Sequence, residues 1–176
     1  MNSHQVILVN EKDEPIGSME KMEVHQKGLL HRAFSIFIFD SKGCLLIQKR
    51  ANSKYHSPGL WTNTCCSHPM PGEDLPSAAQ RRLKEELGFT TLLNKIFSFT
   101  YKATMENSLV EHELDHVFTG EYEGEVKPER NEVADYKFVS IPALKEEMKI
   151  NPHQFTKWFK IVFPRIEDWW IHNYNR

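Results

Sequence analysis

The sequence predicts an α/β (α+β) fold, a single domain in which a mixed β-sheet is sandwiched between helices. Three observations carry that expectation. Short apolar runs of strand type recur through about the first four-fifths of the 176 residues. One segment between them has proline near its start and glycine at its end, as a helix prefers. A last stretch places aromatic residues at helical spacing, which gives the sheet a further layer to pack against.

In chain order, residues 6–9 and 15–19 read as two short strands joined by a turn-like segment 10–14, an opening hairpin within 5–20. Residues 33–40 follow. There Phe34, Ile36 and Ile38 interleave with Phe37 and Phe39, so both faces are apolar and the strand is expected to be buried on both sides. Ser41-Lys42-Gly43 turns it into a strand at 44–48. A polar loop occupies 50–58, and a short strand is expected at 61–65. Pro76-Ser77-Ala78-Ala79 opens a helix that Gly88 ends. Strands near 97–103, 110–121 and 134–140 come next, with Gly120 and Gly124 read as turn markers, before Ile141-Pro142 starts another helix. The tail, 152–174, reads as helical, with Phe155, Trp158, Phe159, Val162 and Phe163 on one face and Pro164 expected to kink or restart the helix. Neither a linker nor a repeat divides the chain, so one domain over 1–176 is the reading.

Composition narrows the function classes. The 22 basic and 24 acidic residues leave a formal net charge of −2, so no global basic field points to nucleic acid or to an anionic membrane. Any anion site must be local. The three cysteines are Cys44, Cys65 and Cys66; adjacent cysteines rarely pair, which argues against a disulfide framework and for the reducing cytoplasm. The first fifteen residues lack an apolar signal core, and no segment has membrane length, so a soluble protein is expected. Without a sustained heptad pattern, a monomer is expected.

The densest chemistry lies at 63–89, where Cys66, His68 and Pro69 lead into Glu73, Arg81, Arg82, Glu85, Glu86 and Gly88. The spacing of residues 67–89 resembles the Nudix box, G-x5-E-x7-R-E-U-x-E-E-x-G-U, and the predicted element order agrees with the Nudix fold. Two letters differ. Ser67 replaces the opening glycine, and Arg82 stands where hydrolytic members carry the first glutamate of their metal-binding cluster. A cation there removes a ligand from the metal that would activate water and adds a hydrogen-bonding partner for a diphosphate. The resemblance therefore implies a scaffold that keeps the diphosphate and gives up hydrolysis. Outside the box, His25, His31 and His68, with Glu111 and Glu113 alternating on one side of a strand, suit one divalent metal. Residue types alone do not separate these from His112 and His116, which point to the opposite face and toward the strand's end. Single histidines are also commonly surface or capping residues, and alternating glutamates are commonly a solvated face.

The chain resembles a narrower family, type I isopentenyl-diphosphate isomerase, over nearly its whole length. The matching pieces are Leu29-Leu30-His31-Arg32-Ala33-Phe34-Ser35, Gln48-Lys49-Arg50-Ala51 with Lys54, Pro58-Gly59-Leu60-Trp61-Thr62-Asn63, Cys66-Ser67-His68-Pro69, Arg81-Arg82 to Gly88, and Glu111-His112-Glu113. The resemblance implies interconversion of isopentenyl and dimethylallyl diphosphate by protonation at one carbon and deprotonation at another, without a redox cofactor. It makes Cys66 and Glu113 the acid/base pair, Tyr101 the hydroxyl that assists Glu113, and Trp158 the aromatic face that stabilises the transient carbocation. Lys21, Arg50, Lys54 and Arg82 would bind the diphosphate. His25, His31, His68, Glu111 and Glu113 would hold Mn²⁺, Mg²⁺ or Zn²⁺, and Glu86, with a backbone carbonyl near Cys66, would hold a Mg²⁺ that arrives with substrate. Each has a plainer reading. Arg82 can pair with Glu86 one turn along its helix, Arg50 and Lys54 can be loop charges, Trp158 and Tyr101 can be core, and Cys65 is read as an inert buried thiol. Trp61 fits either the pocket wall or the sheet core. The other functions considered are a Nudix diphosphohydrolase and a non-catalytic binder of isoprenoid diphosphates.

Overall fold

The apolar hairpin opens the computed structural model, which describes residues 4–174: β1 (Gln5–Val9) and β2 (Pro15–Glu20) pair antiparallel. Helix α1 (Lys21–Lys27) follows directly. Its N-cap Glu20 accepts a hydrogen bond from the Glu23 N–H, and Gly28 ends it in the left-handed region at φ 64°, where a side chain would be strained. Then come β3 (His31–Phe39), β4 (Leu45–Arg50), β5 (Trp61–Thr62) and β6 (Cys65–Ser67). Helix α2 (Leu75–Leu87) is capped by the Asp74 carboxylate and ended by Gly88, as its sequence signals require. The remainder is β7 (Asn94–Thr104), β8 (Val110–Glu121), β9 (Val133–Val139), α3 (Ile141–Ile150) and α4 (Lys157–Asn173).

β3 is the central strand because it is apolar on both faces. It pairs parallel with β8 along its full length, from His31 opposite Glu113 to Phe39 opposite Glu121, and β8 pairs antiparallel with β7. β4 pairs antiparallel with β9. Alternation then sorts two cores. Phe34, Ile36, Ile38 and Leu46 pack against Ala78, Ala79, Leu83 and Leu87 of α2, while Phe37, Phe39, Leu45 and Ile47 pack against α3 and α4 through Leu144, Phe159, Val162 and Ile166.

The two halves of the sheet diverge, and that divergence makes the cleft. β3 and β4 pair only at Phe39 opposite Leu45; beyond it β6 takes up β3, and β5 takes up β4. Backbone groups stranded between parting strands must find other partners. Thr64 supplies one set: its hydroxyl donates to the Leu46 carbonyl (2.6 Å) and accepts from the Ile38 N–H (2.9 Å). Asn63 supplies another, its amide donating to the carbonyls of Ile36 (3.1 Å) and Cys65 (3.0 Å).

Several boundaries differ from the sequence reading. The strand expected at 61–65 is two fragments, because the chain crosses from β4 to β3 at Asn63 and Thr64. Gly120 marks no turn; it lies within β8, where a Cβ would fall 2.7 Å from the Leu92 carbonyl oxygen, so close backbone approach demands glycine. The tail is not one continuous α-helix from 152. A 3₁₀ turn at Pro152–Gln154 precedes Phe155, which is extended and bridges to Trp61. Pro164 does not restart α4, which continues through it with Pro164 on the solvent side, where water can satisfy the carbonyl one turn earlier.

Candidate active site

Sheet register assembles the first part of the site. Tyr101 on β7 stands opposite Glu113 on β8, and Glu113 stands opposite His31 on β3, so three chemically capable side chains form one row across three strands. Glu111 lies two residues back on the same face. The Tyr101 hydroxyl reaches both carboxylates, at 2.7 Å from Glu113 Oε2 and 2.9 Å from Glu111 Oε2, with one proton to share between them. All three are buried. Burial resists ionisation of Glu113, yet hydrogen bonding and charge from His31, with Glu111 and Tyr101 beside it, hold its pKa down to about 2. Burial and the Glu111 and Glu113 charges push Tyr101 well up.

The histidines arrive from three different elements. His25 is one turn after Lys21 on α1, and its Nδ1 lies 2.6 Å from the Lys21 carbonyl. His31 Nδ1 similarly meets the Leu29 carbonyl at 2.9 Å. A carbonyl accepts only from N–H, so both rings hold a proton on Nδ1 and turn Nε2 to the interior, where it can carry a second proton toward a carboxylate or give that proton up to a metal. His31 Nε2 sits 3.2 Å from His68 Nε2, and His68 Nε2 sits 3.0 Å from Glu113 Oε1. The His25 Nε2 is buried without a hydrogen-bond partner and lies 3.6 Å from Glu111 Oε1. Ligand atoms of His25, His31, His68 and Glu113 all fall within 4.8 Å of one another. Imidazole lone pairs and buried carboxylates converging in this way call for a cation, so the residues fit a divalent metal, with Glu111 beside the cluster. His112 and His116, by contrast, stay out of it: His112 meets the Gly28 carbonyl at 3.1 Å, and His116 pairs with Asp13 at 3.0 Å on the other face.

Cys66 comes from β6, opposite Ser35 on β3. Its thiol donates to Asn63 Oδ1 at 2.9 Å, and Ser35 Oγ lies 3.4 Å away. Because the Asn63 amide nitrogen is committed to two carbonyls, its oxygen is the group left facing the sulfur. Burial, with the Asp115 charge behind it, pushes the Cys66 thiol up, so it holds its proton. Cys65 points the other way into the α2 core, where burial pushes it well up too, in agreement with an inert thiol.

A narrow cleft of about 70 Å³ joins these groups to the surface. Cys66, Glu113, Tyr101 and Trp158 line it together with Lys21, Arg50, Lys54, Arg82 and Glu86, so every expected catalytic and diphosphate-binding residue reaches one space. Lys21 is on the first turn of α1, Arg50 ends β4, Lys54 is in the loop beyond, and Arg82 and Glu86 face in from α2 one turn apart. Arg82 donates to Glu86 Oε1 and Glu85 Oε2, both at 2.6 Å, so the plain pairing that sequence spacing allows does form, and it engages the two glutamates that end the box helix. Arg81 instead grips Glu73 with two bonds, at 2.7 and 2.9 Å, closing the box on itself. The Arg50 guanidinium carbon lies 5.2 Å from the centroid of the Trp158 ring, which places a cation on the indole. Trp61 does not line this cleft; it packs on the α4 core with Lys137 over its ring at 4.7 Å.

Three residues at the site were not singled out from the sequence. His56 is buried edge-on to Trp158, with Nε2 3.3 Å from Glu111 Oε1. Asn63 orients the thiol. Glu132 lines the cleft beside Lys54 and Arg82. Each looks like an ordinary polar residue of a loop, and only Asn63 lies within a stretch whose family resemblance could have marked it.

The sequence matches the NUDIX domain family over residues 29–159. It is 49% identical over 166 residues to the isopentenyl-diphosphate Delta-isomerase of Pectobacterium atrosepticum, covering 94% of this chain and 93% of that one. It is 53% identical over 157 residues to the enzyme of the same name from Serratia proteamaculans, covering 89% and 88%. Among solved structures, a crystal structure from Deinococcus radiodurans superposes with a TM-score of 0.69 at 19% identity, over 83% of this chain and 89% of that one. The MutT protein of Methanosarcina mazei gives 0.64 at 20% identity, over 79% and 94%. At those identities the structural likeness shows the fold alone.

Proposed function

We propose, from the premise that this chain belongs to the isopentenyl-diphosphate Delta-isomerase family of NUDIX-domain proteins, that it interconverts isopentenyl and dimethylallyl diphosphate. The observation that carries the reading is the shared cleft, which an acid/base pair and four cations line together.

The chemistry asks for three things. A proton must be added to the terminal methylene of an unactivated alkene, and another removed from the carbon next to the one that bears the diphosphate oxygen. A tertiary carbocation forms between these events and must be kept from water. The resting protonation states meet the first need, since the Cys66 thiol carries a proton and the Glu113 carboxylate lacks one. One member of the pair gives as the other takes, and after turnover their states are exchanged, as a reversible shift of a double bond requires. Asn63 Oδ1 fixes the direction of the thiol, and Tyr101 shares its proton with Glu113. The π face of Trp158 stabilises the cation electrostatically, as it already does a guanidinium.

Lys21, Arg50, Lys54 and Arg82 bind the diphosphate through charge-assisted hydrogen bonds, which hold the alkene beside the acid/base pair. When bound, a divalent ion on His25, His31, His68, Glu111 and Glu113 supplies positive charge beside the paired carboxylates, and a Mg²⁺ on Glu86 and a backbone carbonyl near Cys66 neutralises the diphosphate. Mn²⁺, Mg²⁺ and Zn²⁺ all suit the mixed nitrogen and oxygen donors of the first site. The catalytic, cationic and metal-ligating residues expected of the site are all present in this sequence, which we read as acting as a monomer. The three free thiols suit the reducing cytoplasm, and among the described residues no helix is long and apolar enough to cross a membrane. Arg82 disfavours hydrolysis, because it puts a cation where hydrolytic members carry a metal-binding carboxylate, beside Glu85 and Glu86.

The test is incubation of the metal-loaded protein with Mg²⁺ and isopentenyl diphosphate in deuterated water. Deuterium-labelled dimethylallyl diphosphate without release of phosphate or diphosphate is the expected result. Release without the allylic product would replace this reading with a hydrolase, and neither would leave a binding protein.

A further inference from the structure

Glu132 is the carboxylate in the cleft that the reaction does not use. Its Oε2 receives the Lys54 ammonium in a short contact and lies 3.7 Å from Arg82 Nη2, which is itself 2.6 Å from Glu86 Oε1. Its carboxyl is therefore held below the usual range: burial opposes ionisation, but Lys54 outweighs it. The backbone that delivers it is tied to both walls. The Ala51 N–H donates to the Glu132 carbonyl at 3.0 Å, the Glu132 N–H closes a turn on Glu129, and the Glu129 N–H donates to the Glu86 carbonyl of α2 at 2.8 Å. This is a placed anion rather than a mobile surface acid.

We propose that Glu132 is a specificity-determining residue that makes the cleft select diphosphate esters complexed with a divalent cation over uncomplexed ones. The proposal rests on the reading that Lys54 and Arg82 receive diphosphate. In the ligand-free cleft Glu132 neutralises part of the charge on these two groups, so an arriving diphosphate must displace it and then remain beside it. For an uncomplexed ester that juxtaposition is between anions. A Mg²⁺ complex carries positive charge into the same space, which offsets both Glu132 and Glu86. Thus Glu132 weakens binding of the bare anion far more than binding of the complex.

The experiment is titration calorimetry of inorganic pyrophosphate, and then isopentenyl diphosphate, into the full metal-loaded chain, with and without added Mg²⁺. Glu132→Gln keeps the shape and removes the charge. Relative to wild type it should bind Mg²⁺-free pyrophosphate about tenfold more tightly, while the Mg²⁺ complex changes by less than about twofold. Glu132→Asp should retain the preference for the complex, and Glu125→Gln, exposed and outside the cleft, should leave it unaltered. Weaker binding by Glu132→Gln in both conditions would overturn the proposal by making Glu132 an organiser of the cations, and unaltered binding would remove its role. Pyrophosphate binding is read without turnover. An inactive wild type with the expected binding pattern would therefore sink only the isomerase reading, and an active wild type without that pattern would sink only this proposal.

Discussion

Replacing Thr64 by valine tests whether two hydrogen bonds hold the parting strands that form the cleft. The side chain is fully buried, and its hydroxyl serves the Leu46 carbonyl at 2.6 Å and the Ile38 N–H at 2.9 Å. Valine fills nearly the same volume but leaves both backbone groups without a partner between β3 and β4. Each such loss in a buried site costs about 1–3 kcal/mol, so at about 1.5 kcal/mol each the substitution removes about 3 kcal/mol. Against a total stability of about 5–15 kcal/mol that is a large fraction, and for a chain of this length it lowers Tm by about 6–12 °C. Thr64→Ser keeps the hydroxyl and loses one methyl group, at about 0.8 kcal/mol. Equilibrium denaturation of the three proteins measures the difference. A valine variant no less stable than the serine variant would refute the claim that Thr64 bridges the divergence.

Cys66→Ala should lower kcat by about a thousandfold or more while pyrophosphate binding stays within about twofold, because the thiol moves a proton and does not touch the diphosphate; a variant with near wild-type turnover in the deuterium assay would remove Cys66 from the acid/base pair. His68→Ala should lose tightly held divalent metal, read by elemental analysis after gel filtration, and chelation should lower the Tm of wild type more than that of the variant. Acid stability should depend on Glu73, whose pKa the Arg81 hydrogen bonds hold below the ordinary 4.5. A depressed carboxylate gives stability that is fully present above 4.5 and is lost as pH falls through its lowered folded value. The gap between wild type and Glu73→Gln should therefore be constant at neutral pH and close only in that acid window; a gap that persists to lower pH would show that packing, and not ionisation, sets it.

The legible parts of the fold are those in which local chemistry and burial agree. The run Phe34 to Phe39 is apolar on both faces and became the central strand, and Pro76 with Gly88 framed α2 because capping acts over a few residues. Helix α1 carried its signals as well, Glu20 before it and Gly28 after it, but seven residues are too few for a convincing helical period. Phe155 satisfied the spacing of the tail helix and yet is extended, because a bridge to Trp61, distant in sequence, outweighed local pattern.

The sequence by itself determined which residue types were available: thiols, carboxylates at alternating positions, histidines, and an arginine where the box carries a carboxylate. Those are properties of composition and short-range spacing. Only the tertiary structure decided that Tyr101, Glu113 and His31 form one row, that Asn63 turns its oxygen to Cys66, and that Glu132 reaches Lys54. Each of these depends on strand register or on a hydrogen bond between segments far apart in the chain. A one-residue slip in pairing would turn every side chain of the row to the opposite face, and no local window of sequence contains the packing that prevents it.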